Sequence, residues 1–244
     1  MHNLGQELLN SLLSAESSLI REACIKIPLL SNAGTLGQGP GHTRSLLEHL
    51  IETAKRCTLS LPDDPILSLG GLFHDIGKVS TVRYDSNSKP SFHKHEIVGS
   101  TSTWNILKQL GFANNICKDV SFLVRHHMFR FEEIPTPKSI RKWLFLVGKN
   151  HKRLLELRIQ DRLSNETKRN LPAKTSQHLA LEKGIQELIN SQKPIFKEDI
   201  NLSIDDQQTY NIDWNDIAGL VFKDPAKNNS DFLKSFCERT YGRK

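Results

Sequence analysis

Side chains that bind metal ions recur along this chain in the order His, His-Asp, His, His-His, Asp, and no other feature constrains the fold as strongly. They can meet only if segments far apart in the sequence pack against one another. Imidazoles and carboxylates gathered in this way would form a site for one or two divalent metal ions. The seven residues are His49, His74, Asp75, His95, His126, His127 and Asp161.

The segments that carry these side chains are predicted to be helices. Apolar residues recur at intervals of three and four, most clearly in the stretches that begin at Leu46, Ile97 and Leu154, as in helices with one buried face. The best strand candidate is the stretch from Val79 to Phe92, which contains a polar turn at residues 85–88. The sequence therefore predicts an all-α bundle with a small β-hairpin after the His-Asp pair and a helical C-terminal extension.

Glycine and proline residues predict where the helices are interrupted. Residues 32–41 contain four glycines and a proline, residues 61–65 contain two prolines, and Pro135-Thr136-Pro137 follows the His-His pair. The composition changes again near residue 193. We therefore expect one domain, the main helical bundle, over residues 1–192 and a helical tail over residues 193–244.

Composition limits the setting and the partners of the chain. No apolar run approaches the roughly 18 residues of a membrane span, and the first residues do not resemble a secretory signal, so we expect a cytoplasmic protein without membrane contact. The four cysteines are scattered without a Cys-x-x-Cys pair, which is typical of buried thiols. A net charge of +6 and a pI near 9.1 are compatible with a nucleotide or RNA partner.

The segment from Gly71 to Lys78 contains the most specific motif. An apolar helix presents His74 and Asp75 side by side, and both can reach one ion only if it lies against the helix face near its end. Gly77 suits such a helix terminus. The string His-Asp-Ile-Gly-Lys resembles the signature of the HD superfamily of metal-dependent phosphohydrolases.

This resemblance implies an earlier histidine and a later aspartate as metal ligands. His49 lies between leucines, as the first ligand of the family does, and is preferred to His42 in the Gly-rich loop. Asp161 is the late carboxylate, because an aspartate between apolar helical positions is costly to bury without a cation. The alternative for Asp161 is a salt bridge with Arg158 or Arg162.

Three further histidines match the family or lie close to the motif. His95 belongs to a segment that resembles His-Glu-x-x-Gly, and His126 and His127 lie in an apolar stretch, although a single buried histidine is usually only a core residue. Mixed imidazole and carboxylate ligands favour Mn, Fe, Co, Ni or Zn, with Mg as a further candidate. The resemblance implies a first ion at His49, His74, Asp75 and Asp161, and a second at His95, His126 and His127 with Asp75 bridging.

The expected chemistry is hydrolysis of a phosphoester. A bound ion would lower the pKa of a coordinated water from 15.7 toward about 7, so that it can attack phosphorus. Asp75 would be the central catalytic carboxylate, and Lys78 would neutralise phosphate charge, with Arg125 or Arg162 as further candidates. If only one ion binds, His126 could instead protonate the leaving group.

The segments from Leu46 to Asp161 resemble one branch in particular, the HD domain of bacterial tRNA nucleotidyltransferases, the CCA-adding enzymes. Residues 224–229 look like the closing helix of those proteins, whereas their Gly-Pro-rich turn is missing around residues 207–219. Nucleotidyl transfer needs an Asp-x-Asp pair for two magnesium ions, and this sequence contains none. We therefore expect a freestanding HD hydrolase related to that domain.

The predicted activity is that of a phosphodiesterase or phosphatase acting on nucleotides, or on terminal or 2′,3′-cyclic phosphates of RNA. The patterns of alarmone and cyclic dinucleotide hydrolases are not evident, which disfavours those substrates. The alternative function is an RNA-binding module with a structural metal centre. Its tail would contact phosphates through Lys223, Lys227, Lys234, Arg239, Arg243 and Lys244.

Overall fold

The computed structural model describes residues 2–39, 44–131, 135–168, 170–191 and 194–241 of the 244-residue chain. Helices account for nearly all regular structure in these ranges. They are α1 (His2–Ser14), α2 (Ser17–Ile25), α3 (Pro28–Ala33), α4 (Leu46–Ser60), α5 (Pro65–Phe73), α6 (Lys78–Thr81), α7 (His95–Gln109), α8 (Asn114–His126), α9 (Pro137–Val147), α10 (His151–Ser164), α11 (Ser176–Asn190), α12 (Ile204–Thr209), α13 (Trp214–Lys223) and α14 (Ser230–Thr240). Short 3₁₀ turns lie at Gly148–Asn150, Lys197–Asp199 and Pro225–Lys227. The all-α prediction is confirmed.

The predicted hairpin is also confirmed, although it is shorter than expected. Strands β1 (Arg83–Tyr84) and β2 (Pro90–Ser91) pair antiparallel, with Arg83 opposite Ser91. The Asp85 carboxylate accepts hydrogen bonds from two backbone N–H groups of the turn, which closes it. The first residues of the predicted stretch form α6 instead, because their N–H groups bond to carbonyls three or four residues earlier.

The chain divides into two compact units, each built from two separate segments. Met1–Arg130 and Lys152–Ala173 form the first unit, and Phe131–His151 and Lys174–Lys244 form the second. These units do not follow the predicted boundary at residue 193, since α11 packs with α9 in the second unit. A division into compact units does not test a domain boundary, so the boundary at residue 193 stays a prediction.

Helix α5 lies at the centre of the first unit. Its side chains are buried on all sides, including Leu69, Leu72 and Phe73, and it packs against α4 and α8. Gly71 permits the approach of α4, because a Cβ at this position would lie only 3.0 Å from the Ala54 Cα and from the Cys57 Sγ. The end of α5 is thereby brought beside the first turns of α4.

Local signals start the helices of this unit and hold α10 in place. Ser45 and Glu48 form a reciprocal capping box at the start of α4. Asp64 caps α5 and also accepts a hydrogen bond of 2.7 Å from Arg153 of α10. A second ion pair, Arg44 with Glu166 at 2.8 Å, lies beyond the other end of α10. These contacts position the helix that carries the late aspartate.

The second unit has a separate apolar core. Ile217, Val221, Leu233 and Cys237 of α13 and α14 are buried together with Tyr210. All four cysteines of the chain are unpaired and buried, as predicted. Within the described ranges, no helix is both long and apolar enough to cross a membrane.

Candidate metal centre

Six of the seven predicted ligand side chains meet inside the first unit. They come from five different segments, and most of them lie at helix ends. His49 lies in the first turn of α4, His74 and Asp75 follow α5, His95 begins α7, His127 follows α8, and Asp161 lies in α10. Their ligand atoms form two groups, His49 with His74 and Asp161, and Asp75 with His95 and His127.

The first donor group joins α4, the end of α5 and α10. The His49 Nε2 atom lies 3.3 Å from the His74 Nε2 atom and 3.1 Å from the Asp161 Oδ1 atom. The His74 Nε2 atom lies 3.6 Å from the same carboxylate oxygen. His49 and His74 are buried, whereas Asp161 is half-buried and forms the open side of the group.

The second donor group joins the end of α5 to α7 and α8. The Asp75 Oδ1 atom lies 3.0 Å from the His95 Nε2 atom and 3.4 Å from the His127 Nε2 atom. The two imidazole nitrogens are 3.4 Å apart. The other oxygen of Asp75, Oδ2, faces the first group and lies 3.4 Å from the His74 Nε2 atom. The Asp75 carboxylate therefore lies between the two groups, with one oxygen toward each.

Three of the four imidazoles are oriented in the same way by the backbone. The Nδ1 atoms of His74, His95 and His127 lie 2.7 to 2.9 Å from the carbonyl oxygens of Gly71, Phe92 and Val124, in each case three residues earlier. A carbonyl only accepts, so each Nδ1 carries a proton, and each Nε2 faces the centre as the atom that can bind a metal ion once it is deprotonated. This arrangement is the one that orients metal-binding histidines.

The spacing and chemistry of the donors fit a divalent ion in each group. Ligands about 2.1 Å from a tetrahedral ion lie about 3.4 Å apart. The donor atoms within the groups lie 3.0 to 3.6 Å apart. The buried Asp75 carboxylate is costly to keep ionised unless a cation compensates its charge, and an ion held by either group would do so.

Electrostatics keep the carboxylates of the centre ionised. Burial would raise the pKa of Asp75, but the Lys78 ammonium and the His74 imidazole outweigh it and hold that pKa well below its ordinary value. Hydrogen bonds from His49 and His74 similarly overcome burial and lower the pKa of Asp161. Burial also opposes protonation of His74, yet the Asp75 and Asp161 carboxylates raise its pKa to about 10. Burial lowers the pKa of His127.

Lys78 lies at the edge of the centre and is held by three neighbours. Its ammonium group pairs with the Asp75 Oδ2 atom, donates to the Gln38 Oε1 atom at 3.1 Å and lies 5.3 Å from the centre of the Phe92 ring. Gln38 is buried, and its Nε2 atom has no hydrogen-bond partner among the described residues. Sequence reasoning missed Gln38, since nothing in the Gly-rich loop distinguishes it.

Gly77 has a different role from the predicted helix terminus. Helix α5 ends at Phe73, and Gly77 has φ of −62°, which any residue adopts. A Cβ at Gly77 would overlap the carbonyl oxygen of His95 and would lie 2.6 Å from the Gly99 nitrogen. The glycine is therefore required because α7 approaches the backbone here and brings His95 to Asp75.

His126 belongs to neither donor group. Consecutive helical residues point about 100° apart, so His126 and His127 face different directions. The His126 ring packs on Phe122 one turn earlier, with 4.4 Å between ring centres. Burial and Arg125 lower its pKa. Its predicted roles as ligand or general acid stay predictions, and the geometry gives them no support.

Arg125 and Arg162 contact groups outside the two donor groups, and the roles predicted for them stay predictions. Arg125 pairs with Glu96, and Arg162 donates to the carbonyl of Pro172. Arg158 is closer to the centre, because its guanidinium donates to the His127 carbonyl at 3.5 Å. The sequence already indicates Arg158 as a neighbour of Asp161, since it lies three residues earlier on the same helix face.

Other polar side chains of interest lie on the surface or outside the described residues. His93 is exposed on the hairpin side of α7. His42, the alternative to His49, lies outside the described residues, as do Arg243 and Lys244 of the predicted phosphate-binding tail.

Comparison with known proteins identifies the family. Residues 46–166, about half of the chain, match the family model described as HD domain, and this range contains all members of both donor groups. The chain therefore carries a domain of the HD family, whose members bind divalent metal ions. The predicted superfamily is confirmed.

The predicted resemblance to tRNA nucleotidyltransferases is also confirmed, over the HD region of the chain. The A-adding tRNA nucleotidyltransferase of Deinococcus radiodurans is 33% identical over 106 residues, which are 43% of this chain and 24% of that protein. The CC-adding tRNA nucleotidyltransferase of Thermus thermophilus is 31% identical over 121 residues, 49% of this chain and 27% of that protein. The chain thus spans about a quarter of the length of these curated relatives.

Proposed function

We propose that this chain is a divalent-metal-dependent phosphohydrolase with a centre for two ions. The observation that carries the proposal is the position of Asp75, which directs one carboxylate oxygen toward each donor group. A shared carboxylate is what a two-ion centre needs, because it keeps both ions close enough to act on one phosphoester.

The side chains of the centre would bind the ions and orient the substrate. Divalent ions in such sites act as Lewis acids and lower the pKa of water. His49, His74 and Asp161 would hold one ion, and His95 and His127 the other. Lys78 lies beside Asp75 and would contact a phosphate oxygen of the substrate, since an ammonium group binds phosphate as a point charge.

The proposed substrates are nucleotides, or terminal or 2′,3′-cyclic phosphates of RNA. Two observations support this class. The relatives are named as enzymes that act on tRNA. The net charge of +6 favours a polyanionic substrate.

The test is a panel of phosphoesters assayed with Mn, Co, Ni or Zn. Wild-type protein should hydrolyse at least one of them. Asp75→Asn should lose about a thousandfold in rate, because several kcal/mol of charge stabilisation are lost at about 1.4 kcal/mol per factor of ten. Asp63→Asn is the matched control, since Asp63 is exposed in the loop between α4 and α5.

Two results would contradict the proposal. One is the absence of turnover with every metal and substrate, and the other is full activity in Asp75→Asn. Retention of RNA without any turnover would instead assign the chain as an RNA-binding module with a structural metal centre.

A further inference from the structure

The second unit contains a cavity between α9 and α13 whose lining combines positive charge with aromatic rings. Its volume is about 480 Å³, within the range of about 300–1,000 Å³ typical of small-molecule sites. Phe145 and Phe222 contribute apolar walls. Lys138, Arg141, Lys142 and Lys223 also line the cavity.

Among the described residues, no carboxylate pairs with the positive charges around this cavity. None of the four cationic side chains forms an ion pair with a carboxylate in the part of the chain that the structure describes. The Arg141 Nε atom is buried and has no hydrogen-bond partner there. Leaving a buried donor of this kind unsatisfied costs about 1–3 kcal/mol, so an anionic acceptor would stabilise this region.

The aromatic walls indicate that the ligand is more than a simple anion. The Arg141 guanidinium lies 5.6 Å from the centre of the Phe222 ring, so charge and aromatic surface adjoin each other. Inorganic phosphate would use only the cations, and an uncharged aromatic molecule only the walls. A mononucleotide has a phosphate group that the cationic side chains can bind and a planar base that can pack on the aromatic walls.

From these observations we infer that the cavity between α9 and α13 binds a mononucleotide. This inference goes beyond the proposed hydrolase activity, because the cavity shares no residue with either donor group. Binding here does not require a metal ion.

The inference is tested by equilibrium dialysis of the full chain in EDTA with AMP, adenosine or inorganic phosphate. EDTA removes divalent ions, so binding at the metal centre does not contribute. AMP should bind more tightly than either of the other two probes. Equal affinity for AMP and phosphate, or for AMP and adenosine, would overturn the inference, as would the absence of AMP binding.

Charge removal locates the site. Arg141→Gln should weaken AMP binding about tenfold, the effect of losing one charge-assisted hydrogen bond. Lys183→Gln is the matched control in the same unit, because the Lys183 side chain is 79% exposed on α11, and it should leave AMP affinity unchanged. An equal loss in both variants would show non-specific attraction and overturn the inference.

Filling the cavity provides a second variant that is expected to fold. Gly219 lines the cavity, and a Cβ at this position of α13 would meet no heavy atom within 4 Å. Gly219→Leu should therefore block AMP, whereas Gly219→Ala adds only a methyl group and should retain most of the affinity. Unchanged AMP binding in Gly219→Leu would place the nucleotide elsewhere and contradict the inference.

Discussion

Replacing His127 by asparagine should remove metal binding from the second donor group and leave the first group intact. The His127 Nε2 atom is one of three ligand atoms there, 3.4 Å from both Asp75 and His95. Loss of an outer hydrogen-bond partner of a ligand already costs about 10–100-fold in metal affinity. Loss of the ligand itself should therefore cost at least about 100-fold, or about 2.8 kcal/mol.

Asparagine is chosen because it preserves the structural role of the imidazole. Its side-chain amide can still donate to the Val124 carbonyl, which the His127 Nδ1 atom contacts at 2.7 Å. The free energy of unfolding of the metal-free variant should therefore change little. Chemical denaturation in EDTA checks that expectation before any metal is added.

His126→Asn is the matched control, since it changes the neighbouring histidine, which contacts Phe122 instead of the centre. Both variants and the wild type are titrated with Mn, and bound metal is counted by elemental analysis. The wild type and His126→Asn should bind two ions, and His127→Asn one ion tightly. The reasoning is refuted if both variants lose metal equally, or if only His126→Asn does.

Three further predictions concern residues around the centre. Gly77→Ala should destabilise the fold by about 2 kcal/mol, as overpacking does, and should lower the metal content because α7 is displaced. Gly37→Ala is the control, because a Cβ at Gly37 would meet no atom within 4 Å. In the same denaturation and metal assays, this control should change neither stability nor metal content. Metal affinity should rise by up to about tenfold per pH unit between neutral pH and pH 9, because His74 keeps its proton below its raised pKa of about 10 and an ion must displace it. Constant Mn affinity across that range would contradict this. Gln38→Leu should leave the metal content unchanged but lower kcat/KM about tenfold, because the Lys78 ammonium group loses one of its hydrogen-bond acceptors. An unchanged kcat/KM would show that the contact between Gln38 and Lys78 does not contribute to catalysis.

Much of the fold could be predicted from local patterns. The capping residues Ser45 and Glu48 and the leucines around them indicate α4, and the polar turn at residues 85–88 indicates the hairpin. The His74-Asp75 string identified the family because its residues are adjacent and follow an apolar helix. These features depend on short stretches of chain, where side-chain periodicity and turn chemistry are sufficient.

The remainder depends on contacts between distant segments. His127, as the residue after the last turn of α8, points toward Asp75, whereas His126 points to Phe122, and helical periodicity does not fix the direction of a residue at a helix end. The need for Gly77 arises from the backbone of α7, and Gln38 reaches Lys78 from a loop forty residues earlier. Such contacts leave no periodic signal in the sequence.

The proposed activity depends on two ions that share the Asp75 carboxylate. Anomalous diffraction from crystals loaded with Mn tests it most directly, because it locates each ion independently of the protein atoms. Two ions are expected, one beside His49, His74 and Asp161 and one beside His95 and His127, both in contact with Asp75. A single ion that touches only one group, or any ion bound by His126, would contradict it.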